Sequence, residues 1–516
     1  KPSEEEAYVK KGVVTLEGIG GEEIKLEKAD VVIMNPPFTR QERLPREYKE
    51  TLMKRLSEYR DYIHGQLGLY GYFILLADRF TKQNGRIALV LPATVLRVES
   101  ARKVRELLVK NYCIEHIITA WERAAFSEGA QFREILLIAK KGNNSDSKCV
   151  VTALKRLPSS TEEARQYAQM ILSVASKLER HDVFENDTMI VRAVTQNEIK
   201  EKVDNLFALI STYDLKVSIK LEEIFQKASP NLITFKVFLG NKGKVSRFDY
   251  KPPYHGTFIV QAVRAIKTVD KWVIKEEKAE KCYVENRFTK ETWRIPLDAV
   301  KLGLRRPART ELIDLTNKLD YIIISEFEGV NKFLERAIVL DQWREYVVPR
   351  LANLLVSRRF DISAPGTRLI AFYTDNPAVG VDMWNVKGIE KEDAKILALW
   401  FNSTLNLLYL LVHRTETRGA WMKIHEYMLE ETYVPDLRKM SRKEKDSLLQ
   451  LFDKVRNVNF PSIVEQLKNR FWAREAIDRT FLKILGFNDK ETEEVLSFLY
   501  PALANEIEQL KALMKG

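Results

Sequence analysis

Ala29-Asp30-Val31-Val32-Ile33-Met34-Asn35-Pro36-Pro37-Phe38 is an apolar run of strand length that stops at two prolines. A run without polar alternation is the pattern of a parallel strand covered on both faces. Outward from it, a charged helical stretch spans Arg46 to Tyr59, Leu69 to Lys82 has helical spacing, and Gly85-Arg86 introduces a strand at Ile87 to Leu91. A helix over Ser100 to Lys110 leads to strands at Ile114 to Thr119 and Glu134 to Lys140. Strands alternating with helices predict right-handed crossovers and an α/β sheet. A polar turn at Gly142 to Ser147 then precedes a strand near Cys149 to Leu154 and a helix starting near Ser160.

From about Leu206 the pattern changes to short, irregularly spaced strands rich in aromatic and basic residues, and this lasts to about Pro435. The remainder is helical and charge-rich, with candidate helices at Lys443 to Val455, Ile463 to Leu485 and Glu491 to Lys515. Three parts are therefore expected: a sheet domain over 1–205, an α+β domain over 206–435 and a helical region over 436–516, which suits the roughly 150 residues of a typical domain. With 45% hydrophobic and 30% charged residues the chain can build more than one core, and global disorder is excluded. A formal charge of +11 makes a polyanion a reasonable partner, although charge alone does not separate nucleic acid from an acidic membrane.

Cys113, Cys149 and Cys282 have no paired or metal-like spacing, which argues against a disulfide scaffold and a zinc ribbon; no metal is expected, and a reducing, cytoplasmic setting fits best. The longest apolar stretch, Ile396 to Val412, contains Asn402, Ser403, Thr404 and Asn406 and reads as a buried or amphipathic helix rather than a membrane span. Lys1 opens the chain and the acidic residues Glu4 to Glu6 run straight into a strand-like segment, so the expectation is the downstream part of a longer polypeptide.

Asn35-Pro36-Pro37-Phe38 is the tetrapeptide that carries chemistry. It sits where ligands of open α/β sheets bind, at the carboxyl end of a strand. An exocyclic amine on an aromatic ring is a poor nucleophile because its lone pair is delocalised. The Asn35 side-chain oxygen and the Pro36 carbonyl would each accept one hydrogen of such an NH2 group and favour a pyramidal nitrogen. Pro36 and Pro37 fix the backbone so that both acceptors face one pocket, and Phe38 would stack on the ring. The plainer alternative is that Pro-Pro ends a strand and Phe38 belongs to the core.

This tetrapeptide, Gly68 to Phe80 (GLYGYFILLADRF), Gly85 to Arg97 (GRIALVLPATVLR) and Ala125 to Lys141 (AFSEGAQFREILLIAKK) together resemble the ordered motifs of gamma-type adenine-N6 DNA methyltransferases of the single-chain, type IIG-like restriction-modification kind. Leu397 to Leu411, Arg418-Gly419-Ala420-Trp421 and Tyr433-Val434-Pro435 are similar to the end of the target-recognition domain of such enzymes, and Arg474 to Phe487 to their C-terminal helices. The resemblance implies a Rossmann-like methyltransferase sheet, incomplete at its N-terminus, then an α+β target-recognition domain and C-terminal helices. It implies S-adenosylmethionine as cofactor, double-stranded DNA as partner and N6 of a flipped adenine as acceptor. Asn35 and Pro36 would bind the amine, Phe38 and Phe126 would stack on the base, and Asn35, Leu69, Tyr70 and Phe73 would lie beside the cofactor. The family's glycine-rich cofactor loop lies further upstream of this motif than 34 residues allow; Glu17 to Gly21 reads as a turn, and an upstream segment or subunit would supply the loop.

Lys236, Lys242, Lys244, Arg247 and Lys251, interleaved with Phe235, Phe238, Phe248 and Tyr250, suit phosphate contacts and stacking on a glycine-containing loop. Arg305, Arg306 and Arg309 form a second basic cluster, Arg358, Arg359 and Arg368 a third, and Arg418 would approach a DNA backbone through the turn at Gly419. Trp421 reads as core. Asp270 with Glu276-Glu277-Lys278 loosely matches the acid and E-x-K elements of metal nucleases, a pattern that charged hairpins also produce. Two other readings stay open: a DNA-recognition fragment without turnover, and a methyltransferase acting on a protein glutamine or an RNA base. The latter would not need some 300 further residues carrying basic clusters.

Overall fold

Strand β1 (Ala29–Met34) runs parallel to β2 (Thr81–Pro92), with Val32 opposite Ile87 and Met34 opposite Leu89. The helix Leu69–Phe80 crosses between them and packs on both, burying Ile74, Leu75 and Ala77 completely. After the helix Arg102–Asn111 come β3 (Tyr112–Ala120), β4 (Glu134–Lys141) and β5 (Lys148–Leu154), then the helix Thr161–Ala175, capped by the Ser160 side chain, and finally β6 (Val183–Glu185) and β7 (Met189–Thr195). The spatial order is β1-β2-β4-β3-β5-β7-β6. The computed structural model describes residues 27–39, 41–121, 126, 133–142, 147–179, 182–248, 259–263, 272–278, 281–286, 289–290, 292–296, 300–304, 307–308, 310–325, 344–415 and 419–512.

The sheet shows one feature the sequence did not specify and corrects one expectation. It is mixed: only β1–β2 and β3–β5 pair in parallel, because β4 turns back after β3 and lies antiparallel between β2 and β3, a step that needs no crossover helix. Nor is β1 covered on both faces among the described residues. It lies at one edge of the described sheet, and its pleat sends Val32 into the core while Val31 and Ile33, on the other face, are 56% and 77% exposed. The charged stretch after Asn35 is also divided, into a helix Arg46–Arg55 and a 3-10 helix Ser57–Tyr62.

A second seven-stranded sheet runs in the spatial order Ile259–Val263, Asp320–Ser325, Val300–Leu304, Ala371–Gly380, Ala352–Ser357, Met383–Lys387 and Lys244–Arg247. Trp272–Lys278, Lys281–Asn286 and Thr292–Pro296 form a separate antiparallel sheet, and Arg359–Asp361 pairs with Trp421–Lys423 as a short ribbon. The expected basic loop from Lys236 to Lys251 is largely regular structure. Phe235–Leu239 is helical, Lys244–Arg247 is an edge strand, and Phe235 and Phe248 are fully buried, so these two rings are core rather than stacking surfaces. Lys251, Tyr250, Arg305, Arg306, Arg309, Arg418 and Asp270, like Glu17 to Gly21, lie outside the described residues.

The apolar stretch ending at Val412 forms two helices, Lys391–Phe401 and Thr404–Val412, bent by 66°. Its polar residues make the bend. The Asn402 side chain accepts from Ile370 N at 2.8 Å and donates to the carbonyls of Ala371 and Ala398 at 2.7 and 2.8 Å, while the Ser403 hydroxyl caps the second helix through Asn406 N. No single helix among the described residues is long and apolar enough to cross a membrane. Further on, the stretch expected to be one helix from Ile463 to Leu485 is two, Ile463–Lys468 and Trp472–Ile484, broken where Arg470 adopts φ +43°.

The C-terminal helices are tied to the rest through buried polar groups. Asp478 accepts from Thr404 N at 2.7 Å, the Thr404 hydroxyl at 2.6 Å and the Tyr500 hydroxyl at 2.7 Å; Arg474 donates to Gln466 Oε1 at 2.7 Å and the Asn402 carbonyl at 2.6 Å. In the helix Asp489–Ala512, Glu506 accepts from the backbone N–H groups of Tyr213 and Asp214, at 2.6 and 2.9 Å. Complete burial pushes the Glu506 carboxyl up to about 7, against those two bonds and the charge of Arg414, which pull it down. A carboxyl raised on folding stabilises fully below its unfolded value near 4.5, and that contribution is lost as pH rises through about 7. Thermal unfolding is therefore expected to show a loss of roughly 3 kcal/mol between about pH 5 and pH 8, and Glu506→Gln should remove that step. An unchanged pH profile in the variant would refute the assignment.

Candidate functional site

β1 delivers Asn35 to its carboxyl end, where the side chain is exposed; Pro36 is buried, Pro37 exposed, and Phe38 half-buried against the core. The prolines end the strand because neither can donate to a ladder. The chain that follows is pinned to the helix Leu69–Phe80 by a bond from Leu69 N to the Thr39 carbonyl at 3.0 Å. Gly68 permits that approach: a Cβ there would lie 2.7 Å from the Tyr70 ring. The exposed amide oxygen of Asn35 and the aromatic face of Phe38 thus come from one rigid turn, with the helix start held beside it.

The three helix residues expected near a cofactor are placed differently from one another. Leu69 and Tyr70 are 7% and 8% exposed, and burial pushes the Tyr70 hydroxyl up to about 12 although it hydrogen-bonds Thr94. Phe73 is only partly buried. Leu69 and Tyr70 are thus committed to packing, and among the described residues Asn35 and Phe73 are the two of the expected cofactor set that a ligand can reach. These residues fit an amine-bearing ring better than they fit S-adenosylmethionine, which needs a cradle for its adenosine that they do not form.

Phe126 packs against a small apolar cluster that draws on β3, β5, β7 and the helix Thr161–Ala175. β3 lies three strand spacings from β1, roughly 14 Å. Phe126 thus packs against a different cluster from the one that Phe38 packs against. The motif that contains Phe126 continues into Arg133, whose guanidinium lies 3.9 Å over the Trp121 ring and donates to the Ile210 carbonyl at 3.1 Å, joining the sheet to the segment that follows it.

Among the basic residues, Lys236 is exposed and 3.5 Å from Glu430, and Lys242, Lys244 and Arg247 are exposed along the edge strand and the turn before it. Arg358 and Arg359 differ in burial although both reach Asp382, Arg358 lying on the bend between the strands Ala352–Ser357 and Arg359–Asp361. The Arg358 side chain is 9% exposed and its Nε bonds Asp382 Oδ1 at 2.8 Å, whereas Arg359 is half-exposed and bonds Asp382 Oδ2 at 2.8 Å. Burial raises the Asp382 carboxyl, but the Arg359 and Arg358 bonds outweigh it and hold the group below the usual carboxylate range. Arg368 is spent on Glu311 and the Phe460 carbonyl. Arg358 and Arg368 are thus structural, which corrects their reading as a surface cluster.

Sequence reasoning missed a cavity of about 400 Å³ beside the Arg359 ribbon, lined by Ser357, Arg359, Asp361, Asp382 and Trp421. Trp421, expected in the core, is 50% exposed, while Met422 between it and Lys423 is buried. The alternation Trp-Met-Lys was the available signal, since the apolar sulfur side chain rather than the indole takes the inward position of the strand.

Comparison with known proteins addresses the first quarter of the chain most directly. Residues 5–126 match the family described as Eco57I restriction-modification methylase. The type II methyltransferase M.BanIII of Aneurinibacillus aneurinilyticus is 28% identical over 119 residues, 23% of this chain and 20% of that one. Among solved structures, the type IIG restriction endonuclease BpuSI matches with TM-score 0.40 and 13% identity, over 94% of this chain and 54% of that one. The type IIL restriction-modification enzyme MmeI, solved in complex with DNA, matches with TM-score 0.46 and 11% identity, over 94% and 57%. The chain thus spans little more than half of each solved relative and a fifth of the curated one, and likenesses this distant carry no argument about its site. Asn35 to Phe38 lie within the segment that this family model matches.

Proposed function

We propose that this chain carries the base-binding part of a site-specific DNA methyltransferase that modifies the N6 amine of an adenine flipped out of duplex DNA, within a restriction-modification or phage-defence system. The observation that carries this reading is the exposed Asn35 at the end of β1, followed by a buried Pro36 and a half-buried Phe38. S-adenosylmethionine, when bound, supplies the methyl group. The chain's own part is to take an extrahelical adenine against Phe38 and to accept one amine hydrogen at Asn35 Oδ1 and one at the Pro36 carbonyl. Drawing both hydrogens to one side localises the nitrogen lone pair on the other, where it can attack. Asn35 does not form a covalent link to the base, so the amine leaves with its new substituent once it has shed a proton. Phe126 is proposed as the second stacking ring.

Phosphate binding is assigned to Lys236, Lys242, Lys244, Arg247 and Arg359, with Lys251, Arg305, Arg306, Arg309 and Arg418 proposed from the sequence; Arg358 serves by holding Asp382. Removing one phosphate-binding cation lowers the slope of log affinity against log salt by about one. Arg359→Ala is expected to do this without loss of fold, whereas Arg358→Ala should lower thermal stability, because it removes a buried partner of Asp382. Equal salt slopes for wild type and Arg359→Ala would remove Arg359 from the interface. Methyl-acceptor assays comparing duplex DNA with glutamine-bearing protein substrates test the acceptor class; transfer to the protein alone would overturn the proposal.

A second reading is favoured by the burial of Leu69 and Tyr70: recognition of DNA by this chain without turnover of its own. Calorimetry of residues 1–516 with S-adenosylmethionine decides between them. Micromolar binding rejects the second reading, and no binding supports it.

A further inference from the structure

The ribbon of Arg359–Asp361 and Trp421–Lys423 has one sealed face and one open face. Its register sets Arg359 opposite Lys423, Phe360 opposite Met422 and Asp361 opposite Trp421. Residues opposite one another in an antiparallel pair share a face, and successive residues along a strand alternate between faces. Phe360 and Met422, both buried, are the inner face. Arg359, Asp361, Trp421 and Lys423 are the outer one, and the first three line the same open cavity of about 400 Å³.

The two carboxylates at this cavity are differently placed. Asp382 answers Arg358 and Arg359. Asp361 answers no cation: its Oδ1 accepts from the Ser363 amide and hydroxyl, at 2.9 and 2.7 Å, and its Oδ2 has neither a hydrogen-bond nor an ion-pair partner among the described residues. Two residues from Arg359 on the same strand, roughly 7 Å along it, this oxygen opposes the binding of phosphate. On a face that meets duplex DNA such an acid needs a hydrogen-bond donor, and the exocyclic amines of the bases supply it.

The major groove admits a two-stranded ribbon and displays two amines, adenine N6 and cytosine N4. Adenine N6 lies between N7 of its own ring and O4 of the paired thymine, both acceptors that repel a carboxylate. Cytosine N4 has the C5–H edge on one side, which carries no lone pair and suits an apolar ring. Asp361 and Trp421, opposite one another in register, offer that pair of contacts. We propose that this ribbon reads a cytosine of the recognition sequence from the major groove. Asp361 Oδ2 accepts a hydrogen of the N4 amine, Trp421 covers the C5–H edge, and Arg359 and Lys423 hold the adjoining phosphates. The inference rests on the duplex-DNA reading above and assigns to it a base and the residue that reads it.

The test is selection of bound duplexes from a randomised DNA library by the full chain, without methyl donor, followed by sequencing. The wild type is expected to enrich a motif with a preferred cytosine at one or more positions. Asp361→Asn keeps Oδ1 for Ser363 and hence the fold, but presents an NH2 donor in place of Oδ2. It should lower the cytosine preference at one position about tenfold and shift it toward bases that present an acceptor, leaving the other positions and the thermal midpoint unchanged. Arg359→Ala should weaken binding to all sequences alike. No enriched motif with the wild type, a motif that Asp361→Asn leaves unchanged, or a variant that weakens all sequences equally would each overturn the proposal. Formation of N6-methyladenine in the same library by the intact enzyme scores the methyl-transfer reading separately, so the two can fail independently.

Discussion

Asn35→Ala is expected to abolish methyl transfer to duplex DNA in the intact enzyme, by about 10²- to 10³-fold or more, while changing DNA affinity by less than about twofold. The asymmetry follows from where Asn35 sits. It follows β1, an edge strand among the described strands, and is exposed, and its carboxamide makes no hydrogen bond among the described residues. Its loss therefore removes an acceptor from the amine without opening the core. Affinity for DNA, in this account, comes from lysine and arginine side chains on the later strands, which the substitution does not touch. Single-turnover methylation with tritiated donor, set beside DNA binding measured at two salt concentrations, separates the two effects. Turnover near wild type would remove Asn35 from the chemistry.

Asp478→Ala is expected to have the largest effect on stability, a loss of about 3–5 kcal/mol. Asp478 is 3% exposed and satisfies the Thr404 amide, the Thr404 hydroxyl and the Tyr500 hydroxyl while facing the buried guanidinium of Arg474. Truncation leaves the Thr404 N–H at a helix N-terminus and the buried hydroxyls of Thr404 and Tyr500 without their acceptor, and it removes the carboxyl that faces Arg474. The helix Thr404–Val412, the helix Trp472–Ile484 and the helix Asp489–Ala512 all meet at this carboxylate, so the damage spreads to three elements. A fall in thermal midpoint of only about one degree would show that the network is replaceable by water.

Much of the sheet was legible in the sequence because its strands are apolar runs with sharp ends: Pro36-Pro37 stops β1, and Glu134 to Lys141 is a strand within a residue of its expected bounds. What was not legible is pairing. Nothing in the run from Glu134 to Lys141 says that it inserts between β2 and β3, since strand order depends on long-range contacts that a local pattern does not encode. The apolar run of β1 promised cover on both faces, yet Val31 and Ile33 are open among the described residues. Polar interruptions were read as polarity when they were architecture: Asn402 and Ser403 make a bend, and Arg470 breaks a helix through a positive φ that its residue type does not announce.

The basic clusters show the same limit from the surface side. Arg358 and Arg359 are adjacent and identical, and only the direction in which each leaves the chain makes one a buried partner of Asp382 and the other half-exposed. Phe235 and Phe248 look like Phe238 in the sequence, but the first two are sealed in the core. The tetrapeptide Asn35 to Phe38 was legible as a strand end, because two consecutive prolines stop β1. The surroundings of Phe126 were not, because the strands it packs against are far apart in the sequence.

The central claim is that Asn35 to Phe38 serve methylation of adenine N6 in DNA. The most direct test is mass spectrometry of nucleosides from duplex DNA incubated with the intact enzyme and S-adenosylmethionine, in parallel with Asn35→Ala. The account predicts N6-methyladenine with the wild-type enzyme and none with the variant. N4-methylcytosine as the product, no methylated nucleoside, or N6-methyladenine formed equally well by Asn35→Ala would contradict it.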